Sequence, residues 1–446
     1  MKRRTTTVVL VAALALLAAA VGGFTRGTAS AGTAASARAD ATTLTVWVGW
    51  SARELNEFKK VVAEYDAKNP NVEVKVVGGI NDDKIIAALR SGNGPDVVSS
   101  FTSSNVGLYC SSGGWIDLAP YLKQSKIDMN QFPASTRYYT QYKGKRCALP
   151  LLADVYGLYY NKDLFKKAGL SGPPKTMQQL TQYAKKLTVK NADGSLKVVG
   201  FDPEFGFYQN TSGAYQPSFG GKWFDANGKS SLSTDPAWKR LLTWQKGLVD
   251  YYGHDKLVKW QTGAGDEFSA SHAFETGKLA MMMDGEWRVS FIAAEHPTLN
   301  YGTAPMPVDG AKPSLYGGGY INGTIIGIPK NGKNRDAAWD LVKYLTTNDH
   351  ALAKFSNGIR NVPSTRTSAV SKELKPDKNF AIFSKIFVNP HSATIPITSA
   401  GAAYLDTFQT FLAQWQSGKA KDLQGGLAGV DKQIDAKLKQ TGGGVP

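Results

Sequence analysis

The chain has 446 residues, room for about two or three domains, and its 42% hydrophobic and 20% charged content is that of a globular protein. Fifty-two basic residues against 36 acidic ones give a net charge of +16, but the basic residues are scattered and form no cluster, which argues against nucleic acid as a partner and leaves a loose attraction to anionic cell wall. Two cysteines and five dispersed histidines make no metal-ligand spacing, so no metal and no cofactor is expected.

In chain order, Lys2, Arg3 and Arg4 precede an apolar run from Val8 to Val21, and a tract of small residues ends in Ala37-Arg38-Ala39. This is the layout of a secretory signal peptide over residues 1–39, cut before Asp40, with an uncleaved anchor as the other reading. Removing the five basic residues of that segment leaves +11. The segment has no cysteine for lipid attachment, Arg3-Arg4 fits twin-arginine export poorly, and no later run is long and apolar enough to span a bilayer. An extracellular or cell-surface protein is expected. In that setting the even count favours a disulfide between Cys110 and Cys147, two reduced buried thiols being the alternative.

Leu44, Val46 and Val48 alternate with Thr45 and Trp47 as a strand does. Ser51 and Glu54 have capping-box spacing, and Leu55, Phe58, Val61, Val62 and Tyr65 share one helical face that Asn69-Pro70 ends. Val72, Val74 and Val76 make a second strand, which predicts a parallel β-α-β unit. A helix over 83–90 leads to a third strand near 96–99. Ligands of open parallel sheets sit beyond the carboxyl ends of the strands, which points to 49–51, 79–82 and 100–105. The stretch 149–160 is apolar without a helical stripe and reads as a buried strand; Asn161 then caps a short helix that Gly169 stops. Helices are expected over 181–187, 235–249 and 335–345, and a strand over 325–329. The mature chain holds no internal repeat.

Four blocks carry a resemblance to a known family. They are Pro150-Leu151 with Gly157-Leu158-Tyr159-Tyr160-Asn161, Phe165 and Lys167; Trp115-Ile116-Asp117-Leu118-Ala119-Pro120-Tyr121-Leu122; Phe274 to Trp287, with Gly277, Ala280-Met281 and Gly285-Glu286-Trp287; and the glycine cluster 317–319 followed by an apolar strand and Ile328-Pro329-Lys330. In this order they resemble the bacterial extracellular solute-binding proteins of family 1, the sugar-binding components of ABC importers. Leu152 departs, standing where the family usually has a small or polar residue. The resemblance implies an α/β, two-lobed periplasmic-binding-protein-like fold of class II type, with discontinuous lobes joined by hinge strands. Lobe one would take 41–153 and 307–347, and lobe two 154–306 and 348–446. It also implies capture of a sugar or oligosaccharide by hinge closure, and delivery to permease subunits in the membrane by a monomeric receptor without catalysis.

A sugar site needs aromatic platforms and planar side chains that donate and accept hydrogen bonds. Trp287 is the first candidate, because the family's Trp at this place stacks on a sugar ring. Trp50 lies in the first β-α turn, Tyr156 precedes Gly157 of the crossing strand, and Trp223 follows Gly220-Gly221. Asp154 sits in the crossing segment; Asp82, Ser103 and Asn105 sit beyond strand ends; Gly221, Gly318 and Gly319 permit close backbone approach; Arg360 enters from the second lobe. Trp47, Trp238, Trp244 and Trp339 read as core. Two alternatives stay open. One is a secreted carbohydrate hydrolase using Glu286 with Asp154 or Asp284, which needs a carboxyl pair of defined separation. The other is a ferric-ion binder of the same plan using the pairs Tyr138-Tyr139, Tyr159-Tyr160 and Tyr251-Tyr252.

Overall fold

A computed structural model describes residues 41–375 and 377–442. The signal-peptide reading falls on residues outside these. Strand β1, Thr42–Trp47, buries Leu44 and Val46 completely and leaves Thr43, Thr45 and Trp47 partly exposed. The helix Ala52–Lys68 follows and turns Phe58, Val61, Val62 and Tyr65 inward, the stripe expected from their spacing. β2, Val72–Val77, and β3, Val97–Ser100, pair parallel with β1 on either side. The expected capping box does not form. Ser51 makes no side-chain bond to the helix, Ala52 enters it at φ +44, and Ser51 closes the first turn with its carbonyl, which accepts from the Leu55 amide.

The long strand β4, Leu149–Asn161, ties the molecule together. Its first half pairs antiparallel with β9, Ile321–Gly327, from Leu149 opposite Ile326 to Val155 opposite Ile321, and β9 pairs with β3. Its second half pairs antiparallel with β7, Leu279–Gly285, from Tyr156 to Tyr160, and with β8, Tyr301–Ala304, on the other edge. β6, Leu196–Phe201, lies parallel to β7, and β5, Val189–Lys190, closes that edge. The short β10, Val362–Pro363, pairs with β4 at Ala153 and Leu152. One strand therefore serves two sheet halves, and the change of neighbours falls between Val155 and Tyr156. This is a two-lobed α/β fold.

Leu44, Phe58, Leu152 and Ile326 share one core with Trp339 and Leu341 of the helix Arg335–Thr347, and with Leu352, Phe355 and Ile359 of the helix Asp349–Ile359. The helix 349–359 thus packs with the first sheet half. Around the second half, Trp223 and Trp238 meet edge to face at 4.5 Å, and Phe408 joins them from the helix Ala403–Gln416. Trp238 and Trp339 are buried, Trp47 and Trp244 half-buried. Asn161 caps the helix Lys162–Lys167, its Oδ1 accepting from the amides of Asp163 and Leu164 at 3.0 Å each, and Gly169 ends the turn at φ +63. Cys110 and Cys147 form a disulfide, with Cα atoms 5.6 Å apart. Closing a loop of 37 residues is worth about 4 kcal/mol in the chain-entropy description. Among the described residues no helix is long and apolar enough to cross a membrane.

Candidate binding site

A cavity of about 250 Å³ lies where β4 passes from one sheet half to the other. Alternation along the strands aims its walls: Asp154 and Tyr156 are two apart on β4, and Asn322 and Thr324 two apart on β9. The segments after β1 and β3 add Trp50, Glu54 and Phe101, and Asn361 precedes β10. The second lobe supplies Trp287 just after β7, with Gln209 and Phe268 from loops.

Trp287 has a defined seat. A methyl group on Gly285 would come within 2.1 Å of its ring, so the ring lies flat on the strand end because that residue has no side chain. Gly285 acts by leaving room for the ring, since its φ is not among the positive ones. The ring meets Tyr156 edge-on at 5.5 Å, and the buried indole Nε1 has no hydrogen-bond partner among the described residues. The Tyr156 hydroxyl donates to Gln209 Oε1 at 3.0 Å, and Gln209 in turn donates to Glu267. Trp50 is only 4% exposed, wedged among Phe58, Phe101 and Phe355 at 4.8–5.4 Å, so it presents an edge to the cavity and most of its ring to the core. Phe101 and Phe268 are both exposed, one from each lobe.

Asp154 accepts from Asn361 Nδ2 at 2.6 Å. Burial pushes its carboxyl up to about 7; the Asn361 bond opposes that and the charge of Glu54 adds to it. Burial also raises Glu54, against the pull of Arg53. Glu286 is completely buried, and its carboxylate accepts from the amides of Val155 at 2.6 Å and Val362 at 3.3 Å. It therefore pins the end of β7 to β4 and β10 at the crossing point. Burial, followed by the charge of Asp154, holds it well above the usual carboxylate range. The lobes also meet through Arg53, which donates to Ser290 Oγ at 2.8 Å and the Gly358 carbonyl at 3.2 Å and lies over the Phe291 ring. Arg288, wholly buried, is held by Asp284 at 2.7 Å, Glu275 at 3.1 Å and the Glu267 carbonyl at 2.8 Å.

Of the residues singled out from the sequence, Trp50, Asp154, Tyr156 and Trp287 converge on this cavity, and the others do not line it. Asp82 accepts from Ser100 Oγ at 2.6 Å, from Thr102 and from the Tyr109 hydroxyl at 3.2 Å, bracing the loop that carries Phe101. Ser103 donates to Asn322 Oδ1 at 2.6 Å and so aims that amide from behind. Asn105 is buried against Gly401. Gly318 and Gly319 pack on the segment 386–393, where Gly319 donates to Ser392 Oγ at 3.1 Å. Arg360 donates to the Lys375 carbonyl at 3.0 Å and covers the Phe380 ring. Trp223 is core, and with Gly221 it borders a separate open groove near Tyr138 and Pro396. Seven lining residues were not singled out as site residues: Glu54, Phe101, Gln209, Phe268, Asn322, Thr324 and Asn361. Phe101 lay inside the loop already pointed to, and Asn361 one place beyond Arg360.

A cavity closed by residues of two lobes that share one strand defines a receptor-type fold built to enclose a ligand. The chain belongs to the bacterial extracellular solute-binding proteins, whose family pattern it matches over residues 60–382. It is 24% identical over 338 residues to the maltotriose-binding protein of Pyrococcus abyssi, covering 74% of this chain and 68% of that one. It is 26% identical over 381 residues to a maltooligosaccharide ABC transporter solute-binding lipoprotein of Streptococcus pneumoniae, covering 82% of this chain and 81% of that one. Among solved structures, the mannotriose-bound protein CpMnBP1 superposes with a TM-score of 0.77 at 28% identity, over 88% of this chain and 99% of that one.

Proposed function

We propose that the chain captures a sugar or oligosaccharide in the cavity at the β4 crossing, closes on it by bending at that strand, and delivers it to the permease of an ABC importer. The observation that carries the reading is the make-up of the cavity: aromatic rings from both lobes beside planar amides and carboxylates, which suits a ligand with flat apolar faces and a rim of hydroxyls. The names of the relatives and the sugar in the similar structure support the same ligand class. In this reading Trp287 stacks on a ring, Asp154, Asn361 and Asn322 bond hydroxyls, and Phe101 and Phe268 close the mouth. Lobe one comprises 41–153 and 307–347 and extends through the helix 349–359 that packs on it; the rest of the described residues form lobe two. The protein is exported by its signal peptide, acts as a monomer and carries out no chemistry. The buried Glu286 supports a binding role, since both its oxygens are taken by backbone amides and it does not line the cavity.

A thermal-shift screen of mono-, di- and trisaccharides tests the proposal, because a ligand that binds only the folded chain raises its melting temperature by mass action. A saturable upshift with at least one saccharide, without release of reducing sugar, is expected. No shift with any saccharide, or hydrolysis of the one that binds, overturns it.

A further inference from the structure

We infer that this cleft prefers a sugar carrying a protonated amino group over the same sugar with a hydroxyl in its place; the inference rests on the sugar-capture reading. Its ground is a mismatch of charge. The cavity is lined by two carboxyl groups, Glu54 and Asp154, and by no basic side chain. Asp154 is only 8% exposed. One of its oxygens takes the Asn361 amide, and the other has no hydrogen-bond partner among the described residues. Neither neighbouring arginine donates a hydrogen bond to the pair, although the charge of Arg53 pulls on Glu54. Arg53 is committed to Ser290 and Gly358, and Arg288 to Asp284, Glu275 and the Glu267 carbonyl. Glu286, bonded to the Val155 amide, and Glu267, bonded to the Gln209 amide, lie behind lining residues, so acidic groups gather at the cleft of a basic chain.

A neutral hydroxyl can donate to one such carboxylate but brings no positive charge to it. An ammonium group donates three hydrogen bonds and supplies the missing charge. The rings of Trp287, Tyr156 and Phe268 around the same space favour a cation over their faces. The charge of Glu54 already disfavours the ionised form of Asp154, and a bound cation relieves that. A bond between charged groups exceeds a neutral one by enough to give roughly tenfold in affinity.

Calorimetric titration of the mature chain near neutral pH tests this with matched probes: glucosamine against glucose, mannosamine against mannose, galactosamine against galactose, and the chitosan disaccharide against N-acetylated chitobiose and cellobiose. In every set with a bound member, the amine should bind roughly tenfold tighter than its hydroxyl counterpart. N-acetylation, which removes the charge, should abolish the advantage, and Glu54→Gln should shrink the ratio. A neutral sugar that binds as tightly as its amine, or any neutral saccharide that binds when no amino sugar does, overturns the inference and leaves sugar capture standing. Binding of no saccharide of either kind overturns both.

Discussion

Replacing Trp287 with alanine should remove more affinity than any other single truncation in the cavity. The indole lies flat on Gly285 and is held edge-on by Tyr156, so it is fixed before a ligand arrives and loses little freedom on binding. Stacking a sugar ring on one face covers about 80 Å² of apolar surface, which at ~25 cal/mol per Å² is about 2 kcal/mol. That corresponds to roughly a thirtyfold rise in Kd. Trp287→Phe, which keeps an aromatic face in a smaller ring, should retain part of the affinity. Calorimetric titration with the bound sugar measures both variants, and circular dichroism confirms that each is folded. If folded Trp287→Ala binds within about twofold of the parent, the stacking argument is refuted.

Trp50→Ala should behave in the opposite way: its ring is 4% exposed among three phenylalanines, so the change leaves a core cavity and costs about 3–5 kcal/mol of stability, read as a lowered urea midpoint. Reducing Cys110–Cys147 should lower stability by about 4 kcal/mol, and mass spectrometry of the unreduced chain should show the two cysteines in one cross-linked peptide. Stability should rise as pH falls from about 8 to about 5.5. Asp154, Asp202 and Glu267 are held at about 7 in the folded chain, chiefly by burial. Each therefore binds its proton more tightly when folded, and its contribution is present at low pH and lost as pH climbs through about 7. His272, held down to about 2 by burial and by Arg288, works the other way below its ordinary 6.5, but as one group against three. A melting temperature higher at pH 8 than at pH 5.5 would contradict this balance.

The elements that organise the fold were legible because each carries its own periodicity. The alternation at Leu44 and Val46 gave β1, and the apolar run 149–160 gave β4 with its Asn161 cap. The family resemblance supplied what no local pattern holds, namely that β4 joins two lobes. Four of the eleven residues lining the candidate site were legible. Trp50, Asp154, Tyr156 and Trp287 sit at strand ends or at the crossing, where chain geometry singles them out. Gln209 and Phe268 come from aperiodic loops, and only tertiary packing brings them to the cavity. Asp82 and Ser103 were read as ligand groups because polar residues beyond strand ends look alike in sequence; in three dimensions they brace Phe101 and Asn322 instead. The capping box failed for a related reason: the spacing of Ser51 and Glu54 was right, but Glu54 faces the cavity.

We propose above all that a sugar is enclosed between the two lobes at the β4 crossing. Its most direct test is a structure of the mature chain bound to the sugar that the thermal screen selects. The sugar is expected in contact with Trp287 and Tyr156 of one lobe and with Asp154, Asn322 and Asn361 around the crossing. A sugar seated anywhere else, such as the groove beside Trp223, with this cavity empty, would contradict it.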